Sequence, residues 1–243
     1  MVLILGMPFL KKYQEIISKT SIPPEAVLLK RVLIFSLSVF LLIFAYLFLR
    51  KGAVDIRVVN QSIAWVSVIL IGLSFALSGL CFFWNFADKY IIYRKHLGLV
   101  GFWFAVGHVS LTLFNLSKKF NLVDFFMSKE RFNYFITGAL ALIIFAVMAS
   151  ISNRYAVHEL GGKTWRRVLR FGYVAFALAT AHFIFVGLTQ WQKWFTGFKG
   201  LPPLGIAIIV FALFVFILRI CLEVAVRLKK KETSEDTNTP ATV

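Results

Sequence analysis

Gly98-Leu-Val-Gly-Phe-Trp-Phe-Ala-Val-Gly-His108 and Gly172-Tyr-Val-Ala-Phe-Ala-Leu-Ala-Thr-Ala-His182 are two versions of one eleven-residue stretch. Gly, Val, Phe, Ala and His coincide, and Gly101/Ala175 and Gly107/Ala181 exchange one small residue for another. Each reads as an apolar helix carrying a single histidine. At 3.6 residues per turn, Gly101, Ala105 and His108 share a face, as do Ala175, Ala179 and His182. Each histidine therefore stands beside a strip of small side chains. Two such faces opposed would form a narrow apolar slot with an imidazole on either side, the shape a flat metal macrocycle requires.

Outward from these stretches the chain stays apolar. Hydrophobic residues make up 59% of it, with 27 Phe against 11 acidic residues, well beyond the range of a soluble domain. A helix needs about 18 or more apolar residues to cross a hydrocarbon core ~30 Å thick. Six stretches qualify, near 32–49, 63–86, 97–116, 133–152, 168–188 and 204–226. The expected fold is all-α, a bundle of six transmembrane helices over 27–228, because backbone polar groups in lipid must be satisfied within each segment. An interfacial segment (1–26) precedes it, with Phe9, Leu10, Tyr13, Ile16 and Ile17 interleaved with Lys11, Lys12 and Lys19. A polar tail (229–243), expected to be disordered, follows. Residues 1–10 lack the basic start and cleavage site of a secretory signal.

A net charge of +16 would suggest nucleic acid in a soluble protein. Here the distribution of charge argues for topology instead. With the N-terminus inside, the inner segments hold 18 of the 27 Lys and Arg and the three outer loops hold 9. That bias places both termini in the cytoplasm and the chain in the cytoplasmic (inner) membrane, with the lipid bilayer as its first partner and no nucleic acid. Cys81 and Cys221 sit in spans without metal-ligand spacing and read as small apolar fillers. Glu223 can pair with Arg219 one turn away. Paired intramembrane carboxylates, nucleophile–histidine–acid sets and phosphate-binding loops are absent from the sequence, so proton pumping and hydrolysis lack their usual equipment.

The histidines carry the functional reading. Ionisable side chains within spans usually face the bundle interior and mark function. The third and fifth spans both start inside, so they run parallel, and each histidine lies ten residues beyond its matching glycine. Both imidazoles then fall at one depth, about 15 Å along their helices. Two imidazoles at one level can ligate opposite faces of one iron, giving a bis-histidine b-type haem with His108 and His182 as metal ligands. The small residues Gly101, Ala105, Ala175 and Ala179 would line the cofactor. The alternative is a non-redox transporter or scaffold whose histidines bond across helices. His96 and His158 read as interfacial residues among basic neighbours. Haem propionates could be met by Arg94, Lys95, Arg166, Arg167 and Arg170 at the inner edge, or by Lys118 or Lys119 outside.

Arg94-Lys-His-Leu-Gly-Leu99 leading to His108, then Trp165-Arg-Arg ahead of Tyr173 and His182, within six spans, resembles the ferric-reductase-like transmembrane superfamily. The likeness runs over about residues 60–225 and is nearest to the MsrQ-type haem-binding membrane subunits of bacterial methionine sulfoxide reductase systems. The resemblance implies haem b between spans three and five and electron transfer across the membrane. Where relatives often carry another histidine at the start of span five this chain has Leu169, so one haem per chain is expected. Larger relatives append flavin and nicotinamide domains, whereas here 15 residues (229–243) follow the last span. A separate flavoprotein, or a membrane quinol, is the expected donor, and an outer partner reductase the expected acceptor. The iron is expected in the outer half of the bilayer.

Overall fold

The computed structural model describes residues 23–116, 129–198 and 200–236. Most of the expected interfacial segment (1–22), most of the outer loop after the third span (117–128) and the end of the tail (237–243) lie outside the described residues. The helices are α1 (Glu25–Lys51), α2 (Ile56–Phe83), α3 (Arg94–Leu116), α4 (Lys129–Ser150), α5 (Arg154–Arg170), α6 (Gly172–Gly197) and α7 (Leu204–Asp236), with a 3-10 segment, Asn85–Tyr93, before α3. Among the described residues there is no strand. The six expected spans appear as α1, α2, α3, α4, α6 and α7, in helical segments long and apolar enough to cross a membrane. The protein is a multi-pass membrane protein.

α2 is the hub. Its most apolar window is 67% buried, against 11–28% in the other spans, whose outer faces are left for lipid. The reason lies in its small residues. A Cβ on Gly72 would overlap the Phe211 ring of α7, and one on Gly79 would meet Leu218 at 2.5 Å. On the other side Ser67 donates to the Gly101 carbonyl of α3 at 2.8 Å, and Ser74 donates to the Arg94 carbonyl at 2.8 Å. Interhelical hydrogen bonds in membranes average only about 0.6 kcal/mol. Close backbone approach therefore carries this contact, and the serines fix its register.

The helix ends follow local rules. Gly52, at φ 70°, closes α1 in the left-handed region and donates its N–H to the Phe48 carbonyl at 2.8 Å. Asp55 caps α2 by accepting from the Val58 N–H at 2.8 Å, a contact worth about 1 kcal/mol. At the inner edge Lys95 pairs with Glu25 at 3.2 Å and Arg31 donates to the Tyr93 hydroxyl at 2.9 Å, tying α1 to α3. Arg219 and Glu223 pair at 2.8 Å, as their spacing suggests.

Two boundaries differ from expectation. The charged connection before the fifth span is not a loop but helix α5, interrupted where Gly161 takes φ 69° and ψ 144°. Asn153 caps it by accepting from the Ala156 N–H at 2.8 Å, and Gly161 marks a break within the helix. The tail expected to be disordered from Lys229 instead continues α7 to Asp236, since its Lys and Glu residues favour helix.

Candidate functional site

His108 and His182 stand on α3 and α6, helices that do not pack chiefly on one another: α3 lies along α2, and α6 lies along α4. Each imidazole is held by the span that precedes its own, α2 for His108 and α4 for His182. His108 Nδ1 lies 2.9 Å from Asn60 Oδ1 on α2. The Asn60 amide donates to Thr112 Oγ1 at 2.9 Å, and Thr112 Oγ1 donates to the His108 carbonyl at 2.8 Å. With its N–H spent on Thr112, Asn60 offers His108 an oxygen. Nδ1 must then be the donor.

His182 Nδ1 lies 2.6 Å from the Tyr134 carbonyl on α4, which can only accept. Both rings are thereby fixed in the tautomer that carries hydrogen on Nδ1 and leaves a lone pair on Nε2. Neither Nε2 has a hydrogen-bond partner among the described residues.

The room for His182 is made by Gly138. A Cβ there would stand 2.9 Å from His182 Nδ1, so α4 presents bare backbone to the ring. Asn60, Thr112, Tyr134 and Gly138 were not singled out by sequence. Asn60 falls three residues before the apolar run that was read as span two, and the Tyr134 contact uses a carbonyl that any residue would supply.

The small residues divide. Gly101 is not open to a slot: a Cβ there would meet Ile71 Cγ1 at 2.8 Å and the Ile71 backbone nitrogen at 3.1 Å. Its counterpart Ala175 is 0% exposed, sealed in the protein core. These two serve helix packing, because α2 and its neighbours fill the space that the face pattern alone leaves open. Ala105 and Ala179 are half-buried, like the histidines beside them.

A cavity of about 620 Å³ reaches His182 from between α1, α2, α6 and α7; His108, Ala105 and Ala179 do not line it. Its lining includes His182, Asn60 and Thr112, with Arg50 and Arg57 also contributing. Trp65 and Phe183, stacked at 4.7 Å, form part of its wall.

The other histidines lie apart. His158 is largely exposed on α5, 3.4 Å from Glu159. His96 is only 7% exposed, packed into the protein at the start of α3. Its Nδ1 is buried without a hydrogen-bond partner. Among the described residues no group of three or more His, Cys, Asp or Glu gathers as a metal site.

Residues 63–180 match the profile of the family described as ferric reductase like transmembrane component. Over those residues the chain is similar to a ferric-reductase-like transmembrane component. The matched segment includes α3 with His108 and ends two residues short of His182. The chain is also 34% identical over 92 residues to magnetosome protein MamZ of Magnetospirillum gryphiswaldense and 32% identical over 92 residues to that of Paramagnetospirillum magneticum. Each match covers 38% of this chain but 14% of the relative, so the likeness concerns one part of those longer proteins. The ferric-reductase-like family points to membrane electron transfer.

Proposed function

We propose that the protein is a b-type cytochrome that relays electrons across the cytoplasmic membrane through one haem held by His108 and His182. The observation that carries this reading is the matched tautomer: both rings commit Nδ1–H to an oxygen and keep Nε2 unpaired. Ligating histidines ordinarily donate their second nitrogen in this way, which orients the ring and raises its basicity. His108 and His182, each with Nε2 left as a lone-pair donor, would be the residues to hold the haem iron. When bound, the haem supplies a one-electron iron couple.

The protein's own part is to hold and insulate. Asn60 and the Tyr134 carbonyl orient the two rings, Gly138 gives His182 its place, and Ala105 and Ala179 leave room beside the histidines. A separate flavoprotein or a membrane quinol supplies electrons in this reading, and an acceptor outside, such as a methionine sulfoxide reductase-type partner, receives them. The outward cavity at His182 supports delivery on that side.

The other reading, a transporter or scaffold with structural histidines, accounts for the Nδ1 contacts but gives neither Nε2 a role. A reduced-minus-oxidised absorbance spectrum of the purified protein separates the two. A sharp b-type band is expected; a protein that binds no haem when expressed with haem in excess would reject the cytochrome.

A further inference from the structure

The second half of α5 sorts its side chains by charge. Lys163, Arg166, Arg167 and Arg170 recur at i, i+3, i+4 and i+7, the spacing of one helix face. All four are exposed, whereas Trp165, Val168 and Leu169 hold the opposite face and are half-buried. The Trp165 indole donates to the Ile151 carbonyl beyond the end of α4 at 3.0 Å, which turns the apolar face onto the bundle and the cations away from it. Among the described residues none forms a hydrogen bond or ion pair with the side chains of these four cations. The one acid on α5, Glu159, lies beside His158 instead.

What the cationic face meets follows from the span it leads into. Phe171, at φ −61° and ψ −16°, stays right-handed, so α5 passes into α6 without reversing the chain. Burial keeps its phase across this junction. At about 100° per residue, the face of Trp165 and Val168 continues in Gly172, Ala175 and Phe176, all buried. The face of the cations continues in Val174 and Ala177, then Phe185 and Leu188, all apolar and exposed. On a spanning helix such a face is left for lipid tails.

Arg170 precedes Val174 by about 6 Å of helix, and Arg166 by about 12 Å. A headgroup layer is about 5–8 Å deep on each side of the hydrocarbon core, within reach of these long side chains. The haem of the cytochrome reading does not compete for them: the cations stand opposite the buried face, and Arg170 is about 18 Å along the helix from His182.

We propose that Arg166, Arg167 and Arg170 bind the phosphate of anionic glycerophospholipids in the leaflet that α5 faces, with Lys163 at the far end of the stripe. The proposal goes beyond the cytochrome reading and does not depend on it. The guanidinium fork matches phosphate oxygens, and each cation near an anionic leaflet contributes about fivefold in affinity.

The test is a lipid titration of the purified full-length protein by native mass spectrometry, with phosphatidylglycerol against phosphatidylcholine of the same acyl chains. Wild type is compared with Arg166→Gln/Arg167→Gln/Arg170→Gln, with Arg166→Lys/Arg167→Lys/Arg170→Lys, and with Arg50→Gln/Arg57→Gln at the opposite end of the bundle. Wild type is expected to prefer phosphatidylglycerol by at least about tenfold, and the glutamine triple by less than about threefold. The lysine triple, which keeps the charge, should retain about half of the wild-type ratio, and the Arg50/Arg57 pair all of it. Should the glutamine triple not fold, Arg170→Gln alone is read in the same way, with a loss of about fivefold.

A glutamine triple that keeps the wild-type ratio, a wild type without preference, or an equal loss in the Arg50/Arg57 pair would overturn the assignment. Glycerol 3-phosphate that displaces phosphatidylglycerol at equal concentration would overturn it in favour of a soluble phosphate. Poly-glutamate retained by wild type and lost by the glutamine triple, without any phosphatidylglycerol preference, would overturn it in favour of an acidic protein partner.

Discussion

Gly138 lies flush against the imidazole of His182: a Cβ at that position would stand 2.9 Å from Nδ1. The same ring donates to the Tyr134 carbonyl one turn away on the same helix. α4 thus offers His182 both a seat and an acceptor, and the seat exists only while residue 138 has no side chain. Gly138→Ala is expected to push the ring off the Tyr134 carbonyl and lower haem content severalfold while the protein still inserts. Haem-to-protein ratio in purified material measures this, and full occupancy in Gly138→Ala would show that the contact is dispensable.

Asn60 plays the corresponding part for His108, and the correspondence is close. Each histidine bonds to the residue 48 positions earlier, on the preceding span. Outer-shell partners of this kind typically change metal affinity 10–100-fold. Asn60→Leu is therefore expected to weaken haem retention by about that factor. Thr112→Val, which removes only the group that orients the Asn60 amide, should have a smaller effect. Competition for haem by an apo-haem-binding protein gives both values; equal retention in Asn60→Leu and wild type would contradict the role.

Much of the fold was legible because lipid imposes it. Six apolar runs had to become helices, and they did, with ends shifted where capping residues such as Asp55 and Asn153 set the boundary. The candidate ligands were legible for the same reason, since His108 and His182 interrupt otherwise apolar faces. Their surroundings were less so. Gly101 and Ala175 match His-bearing faces by periodicity, yet a period cannot tell which neighbour will press against a small residue, and here the protein core takes both. The eleven-residue likeness is the visible part of a larger correspondence between α2–α3 and α4–α6. That correspondence is hidden in sequence because the two acceptors, an Asn60 side chain and a Tyr134 carbonyl, share chemistry but not residue type.

The division among small residues yields an expectation of its own. Ala105→Phe or Ala179→Phe would place bulk beside the histidines in the half-buried region and should lower haem content in a protein that still folds. Gly101→Ala instead meets α2 backbone, and overpacking of that kind costs about 1–3 kcal/mol in stability. It should lower the thermal midpoint of apoprotein and holoprotein alike. Unchanged haem content in both phenylalanine variants would show that these alanines face only lipid or helix.

The central claim is that His108 and His182 together hold a single haem, and pyridine-haemochrome quantitation against protein mass tests it most directly. Wild type should give one haem per chain. His108→Ala and His182→Ala should each lose most of it, while His96→Ala and His158→Ala keep it. Full occupancy in both the 108 and 182 variants would contradict the assignment, and two haems per chain would bring the buried His96 back as a ligand.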